Sequence, residues 1–249
     1  MRVIAIIQAR LGSKRLPDKV LMPVFGLPLV EVVAIRAKMA SLVDDVIVAI
    51  PDNRENLVLA NYLRSKGIKF IRGAEHDVLG RFLLSATAKH ADVIVRLTAD
   101  DPLKEPCIID EVVSKILLGF DYASNNLKPS FPEGLDVEAF TYDALVKADK
   151  FATKNYEREH VTPYIWENPD NFELCNILCK RQGFENVRLT IDDKFDYELI
   201  SNFIKIFDLD ITSKFSDYCD YLNQEPYKTG LRGRIQRNYG LTISRNLDD

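Results

Sequence analysis

Apolar residues fall along this chain in two alternating rhythms. Short runs with little polar interruption, at residues 3–7, 46–50, 68–71 and 92–98, predict strands buried on both faces of a sheet. Between them the apolar positions are spaced three and four apart: Leu29, Val32, Val33, Ala37 and Ala40, then 57–63, then Val78, Leu79, Phe82, Leu83 and Ala86. Each set is one face of an amphipathic helix. Strands alternating with helices predict βαβ units, right-handed crossovers and a mostly parallel, Rossmann-like α/β sheet flanked by helices. After residue 121 the rhythm changes. The turn-rich stretch 124–134 reads as a loop, followed by a strand at 135–140, helices near 142–154 and 159–167, and strands at 172–178 and 186–191. A helix carrying Ile200, Phe203, Ile204 and Phe207 comes next. This predicts a single domain over 1–249, with residues 121–217 forming a smaller α+β lid or dimerisation part beside the 1–120 half. The polar extension 218–249 gives no element.

The first strand stops at a loop with one glycine, Gly12, and four cations, Arg10, Lys14, Arg15 and Lys19. Open α/β sheets bind ligands at the carboxyl ends of their strands, which is where this loop falls. Gly12 lets backbone approach a phosphate, Ser13 offers a hydroxyl, and the cations neutralise several negative oxygens. Together they suggest a triphosphate cradle; the plain alternative is a solvated surface loop. Neither GxxxxGK[ST] nor GxGxxG follows the strand, so the phosphate site belongs to a different nucleotide fold.

Charge and cysteine content narrow the setting. A net charge of −4 over 249 residues gives no general attraction to nucleic acid, so the basic loop is a local feature. No apolar stretch approaches the roughly 20 residues of a membrane span, and no targeting segment is visible. The expectation is a cytoplasmic protein. Four cysteines in a chain this long do not suggest a disulfide framework. Cys107 falls in a helical apolar pattern and is expected in the core, while Cys175 and Cys179 are expected on one strand face. Zinc there would need two more ligands, and no partnered Cys/His pair is evident.

Two strand ends carry paired carboxylates: Asp100 and Asp101 after VIVRLTA, Asp192 and Asp193 after VRLTI. Converging carboxylates with phosphate oxygens are what Mg²⁺ prefers. Asp193 also suits the N-cap of the following helix, and Asp100 a turn before Pro102. Arg81 and Arg96 are candidate substrate or phosphate contacts; Arg96, a cation inside an apolar strand, needs a partner to offset its burial, and Asp100 or a phosphate is the expectation. Glu138, Arg158, Glu159, His160 and Arg188 are polar groups set among apolar neighbours, suited either to an acceptor or to a structural network.

QARLGSKRLPDKVL resembles the N-terminal signature of the cytidylyltransferases that activate acidic sugars, most closely the spore-coat polysaccharide biosynthesis type. HDVLGRF, VIVRLTADDP, PEGLDVEAF, REHVTPYI and VRLTIDD continue the resemblance in order over about 200 residues. It implies transfer of CMP from CTP to an acidic sugar, with release of pyrophosphate, for surface glycan synthesis. It places Mg²⁺ on Asp100 and Asp192. Arg10, Arg15 and Lys19 would act with Asp100 in catalysis, and Ala9, Gly12, Ser13, Thr98 and Ala99 would border the nucleotide. Arg72, Gly73 and Asp77 would surround cytosine and ribose, Asp77 doubling as an N-cap. Arg96, Glu138, Arg158, Glu159, His160 and Arg188 would form the acceptor pocket, an arginine receiving the sugar carboxylate. A homodimer is expected on the same ground. Two departures stand out: Asp101 where cysteine is common, and Glu133 where arginine is common. A nucleotide-sugar glycosyltransferase and a catalytically silent nucleotide-binding protein are the alternatives. The basic loop argues against the first, and the presence of both aspartates against the second.

Overall fold

The computed structural model describes residues 1–224 and 237–248. Its centre is a seven-stranded sheet in the order β5-β4-β1-β6-β8-β7-β9. The strands are β1 (Val3–Gln8), β4 (Asp45–Pro51), β5 (Phe70–Gly73), β6 (Val93–Thr98), β7 (Tyr122–Ser124), β8 (Glu138–Thr141) and β9 (Leu174–Asn176). β5, β4, β1 and β6 run parallel, β8 runs antiparallel to both its neighbours, and β9 is parallel to β7. The sheet is thus mostly parallel, as the alternating rhythm predicts.

Both faces are covered. Val3, Ala5 and Ile7 of β1 point into one apolar core and Ile4 and Ile6 into another, which is why the run shows no alternation with polar residues. The first core packs α1 (Leu29–Lys38), α2 (Leu57–Ser65), α4 (Pro106–Leu117) and α8 (Lys194–Ile206). The second packs α3 (Val78–Ala88), α5 (Tyr142–Phe151) and α7 (Pro163–Trp166). The result is a three-layer α/β/α sandwich. Parallel strands put their carboxyl ends on one edge, so the loops after β1, β4, β5 and β6 share it.

Several sequence expectations change. Residues 186–191 do not form a strand; an isolated bridge joins Arg188 to Glu133, and Gly134 turns away at once with φ +101°. The helix expected at 159–167 is two short ones, α6 (Asn155–His160) and α7, separated by Val161 at φ 72°. Cys107 is exposed: the buried stripe of α4 runs through Ile108, Ile109, Val112, Val113 and Ile116, and Cys107 lies off it. Cys175 and Cys179 do not share a strand, since β9 ends at Asn176. A small hairpin, β2 (Pro23–Val24) with β3 (Leu27–Pro28), follows the basic loop and turns on Phe25 and Gly26 at φ 53° and 74°. A short helix, α9 (Phe215–Tyr218), ends where the polar extension begins; within the extension a 3-10 turn (Tyr221–Asn223) and α10 (Tyr239–Asp248) are formed, and residues 225–236 lie outside the described residues.

Candidate active site

The loop after β1 is fixed by its backbone. Ala9 N donates to the Ala49 carbonyl at 3.2 Å, and Leu11 N to Asn56 Oδ1 at 2.9 Å. Asn56 is buried and its own amide donates to Asn53 Oδ1 at 2.7 Å, so α2 pins the loop through an uncharged side chain. Sequence reasoning missed Asn56; its place just ahead of α2 was the available signal. Arg10, Gly12, Lys14 and Arg15 are exposed, and the Ser13 hydroxyl accepts from Leu16 N at 3.3 Å. A Cβ at Gly12 would meet only the Glu55 carboxylate, at 3.5 Å, so the loop's own backbone does not require glycine there.

Lys19 joins the two carboxylate strand ends. Its Nζ lies 2.9 Å from Asp100 Oδ2 and 2.9 Å from Asp192 Oδ1, and donates to the Ile191 carbonyl at 3.1 Å. Burial lowers the Lys19 pKa, but the two carboxylates more than offset it and the net shift is upward. Asp100 is half-buried, and desolvation alone would raise its pKa; the Lys19 ammonium beside it reverses this and holds it well below the usual carboxylate range. Arg15 adds a second cation to Asp192, at 3.0 Å. One ammonium between two carboxylates shows that the pair converges on a single cation-sized position of hard oxygen donors, the donor set that suits Mg²⁺. Among the described residues no group of three or more His, Cys, Asp or Glu side chains is placed to hold an ion.

The neighbouring aspartates do other work. Asp101 is buried, pairs with buried Lys104 at 2.7 Å and accepts from Thr98 at 2.8 Å. It is buried rather than solvated, and lines the cavity beside Asp100 and Asp192. Asp193 caps α8, accepting from Asp196 N at 2.9 Å.

Arg188 sits under Asp192 as a hub. Its guanidinium reaches Glu133 at 2.7 Å, Asp192 at 2.5 Å and Asp196 at 3.4 Å, and is buried. Charged on every side by carboxylates, it orients Asp192 and does not face the cavity. Glu133, the charge-reversed position, is thus the counter-charge of Arg188. Arg158 is engaged in the same way: it grips both oxygens of Asp77 at 2.9 and 2.7 Å and reaches Asp149 at 2.8 Å. Asp77 also accepts from Gly80 N at 3.0 Å, which makes it the N-cap of α3. Arg72 is turned to the loop after β4, donating to the Asp52 carbonyl at 2.6 Å and Asn53 carbonyl at 3.1 Å. A Cβ at Gly73 would crowd Arg81 at 3.1 Å. Arg81 is buried and caps the Ala74 and Glu75 carbonyls, so it is not a substrate contact.

A cavity of about 450 Å³ opens beside the two aspartates, lined by Arg96, Glu138, His160, Thr162 and Trp166 among others. Arg96 pairs with Glu138, its register partner across β6 and β8, and not with Asp100 as expected. Glu138 is saturated: Tyr122 and Thr162 each donate to it at 2.6 Å. Arg96 lines the cavity, and its Nε is buried without a hydrogen-bond partner among the described residues. His160 Nε2 is 3.1 Å from Ser244 Oγ, and Ser244 donates to Glu159 at 2.7 Å.

Burial and the nearby Arg96 bring the His160 pKa down to about 4, against the opposing pull of Glu159 and Glu138. Its imidazole is therefore neutral at pH 7. With the folded value below the ordinary 6.5, the unfolded chain binds the proton better between the two values. Stability should fall as pH drops through that window, and His160→Gln should flatten this limb. Thermal melts of both proteins across the window check it; parallel curves would remove His160 as the cause.

A three-layer fold whose strand ends bear a basic loop and two carboxylates on one cation is that of a nucleotidyltransferase. The sequence model of one such family, described as cytidylyltransferase, matches residues 4–226. The chain belongs to the cytidylyltransferase family. It is 39% identical to an uncharacterised protein of Methanocaldococcus jannaschii, over 96% of this chain and 98% of that one. It is 31% identical to the spore coat polysaccharide biosynthesis protein SpsF of Bacillus subtilis, over 80% and 84% of the two chains. A cytidylyltransferase structure from Leptospira borgpetersenii superposes with a TM-score of 0.86 at 29% identity, covering 96% of this chain and 100% of the other. No helix among the described residues is long and apolar enough to cross a membrane.

Proposed function

We propose that this enzyme transfers CMP from CTP to a hydroxyl of an acidic sugar, releasing pyrophosphate, as a step in making a surface glycan. The observation that carries the reading is Lys19 held between Asp100 and Asp192, with Arg15 on Asp192. Similarity to SpsF, and over 51% of the chain to the 3-deoxy-manno-octulosonate cytidylyltransferase of Geobacter metallireducens at 35% identity, supports CTP and a sugar acid. Asp100 and Asp192 would hold Mg²⁺, which when bound neutralises charge on the phosphates.

The chain's own residues supply the rest. Arg10, Arg15 and Lys19, with Ser13 and the backbone around Ala9 and Gly12, cradle the triphosphate. Thr98 and Ala99, with the loop of Arg72, Gly73 and Asp77, border the nucleoside. Arg96, oriented by Glu138, receives the acceptor carboxylate. The acceptor oxygen attacks the α-phosphorus, and the bond from that phosphorus to the bridging oxygen breaks as pyrophosphate departs. Neutral His160, at the cavity, accepts the hydroxyl proton. Catalysis is chiefly positioning and electrostatic stabilisation. A cytoplasmic homodimer belongs to the same reading.

Among the four nucleoside triphosphates, CTP with Mg²⁺ should raise the melting temperature most, since a ligand of the native state alone stabilises it. Pyrophosphate release should then require CTP together with an acidic sugar. Equal stabilisation by every triphosphate would sink cytidine selectivity; release without an acidic acceptor would sink the transfer.

A further inference from the structure

The C-terminal helix α10 has no fully buried residue, yet it lies across the cavity. Its half-buried positions, Leu241, Ser244, Arg245 and Asp248, together with Arg237 just ahead, fall on one helical face. That face is mostly polar and is tethered at both ends. Arg237 pairs with Asp136 and donates to Asn126 Oδ1 at 3.1 Å and the Phe131 carbonyl at 2.9 Å. Asp248 accepts from Asn155 Nδ2 at 2.5 Å and Tyr156 N at 2.7 Å at the start of α6. Between these, Arg245 pairs with Glu167 and lies over the Tyr156 and Trp166 rings, 5.1 and 5.3 Å from their centroids. Ser244 bridges Glu159 and His160.

A helix of this length is marginal by itself, and tethers of hydrogen bonds and ion pairs are the kind that open locally without unfolding the core. Leu241, Thr242 and Arg245 line the same cavity as Arg96, Glu138 and Asp100. The triphosphate loop meets α10 at its first turn, where Arg15 lies 5.9 Å from the Tyr239 ring centroid. We infer that α10 is the acceptor-side wall of the active site, closing over the sugar acid while leaving the nucleotide half complete without it. Ser244 is a positioning residue for His160. The inference rests on the proposed transfer to an acidic sugar.

Steady-state kinetics with CTP and an eight-carbon 2-keto-3-deoxy sugar acid separate the two halves. Arg245→Ala should raise the acceptor KM by roughly tenfold, the scale of one lost polar contact, and Ser244→Ala should lower kcat by roughly tenfold through His160; each should leave the CTP KM within about twofold. Ser244→Thr, which keeps the hydroxyl, should restore most of that kcat. Trp166 is the only tryptophan in the chain, so its emission reads the wall without any turnover. Adding the sugar acid should shift that emission in the wild type and much less in Arg245→Ala. The inference is overturned if both KM values rise together in Arg245→Ala, if neither moves there, or if the variants melt far below the wild type, which would make α10 a structural buttress. A wild type that releases no pyrophosphate with any acidic sugar defeats the proposed reaction by itself. Even then an unmoved Trp166 emission counts against the wall, and a shift that Arg245→Ala suppresses supports it.

Discussion

Asp100→Asn and Asp192→Asn should each lower turnover by about a hundredfold or more while leaving a folded protein, whereas Asp193→Asn should remain near wild type. The amide keeps the shape of each side chain and removes the charge that a divalent ion requires. The structure sharpens the contrast. Asp100 and Asp192 meet on one ammonium, each 2.9 Å from Lys19 Nζ, so loss of either leaves that convergence with a single carboxylate. Asp193 caps α8 through Asp196 N, and Asn caps a helix about as well as Asp. Of the two changes, Asp192→Asn should cost more stability, because Arg188 and Arg15 both lose a partner with it. Turnover across a Mg²⁺ titration, with melting curves alongside, checks the set. A dead Asp193 variant beside an active Asp192 variant would reverse the assignment within the dipeptide.

Much of this architecture was legible because its causes are local. An apolar run such as Val3–Gln8 states its own burial on both faces, and a basic loop after it states a ligand edge. Asp100 and Asp192 were legible as strand-end carboxylates, but not their meeting: they are far apart in sequence and only the fold brings them to Lys19. Partner choice was the weak point for the same reason. Arg96 faces Glu138 because an antiparallel register puts them opposite each other, and no periodicity encodes that register. Arg158 and Arg188 carry the composition of carboxylate receivers, yet the chain's own acids occupy them. The segment 186–191 has strand-like residues and no ladder, since strand formation needs a neighbour that continues alongside. The helix α10 was invisible for a different reason: its inner face is polar, and apolar periodicity is the signal by which helices are read.

Gly134→Ala should be among the most damaging small substitutions in the chain. Gly134 holds φ +101°, a conformation that costs a side chain of order 1–3 kcal/mol. A Cβ there would also stand 2.7 Å from the Leu189 carbonyl carbon and 2.9 Å from its oxygen, backbone that cannot swing aside. Strain and crowding together predict a loss of roughly 2–5 kcal/mol. For a chain of this size that is a fall of roughly 4–20 °C in melting temperature. Activity should fall further than unfolding explains. Glu133, next in the chain, exchanges hydrogen bonds with Val187 and Leu189 and pairs with Arg188, the hub that orients Asp192. Pushing 134 away from 189 therefore displaces a proposed metal ligand through two contacts. Gly67→Ala separates the effects: its φ is +64°, no atom lies within 4 Å of the added Cβ, and it follows α2 away from the cavity. That variant should lose only about 1 kcal/mol and keep its turnover. Measured side by side below both melting temperatures, equal losses of activity would mean that the close approach of Gly134 to Leu189 does not hold the Asp192 end of the site in place.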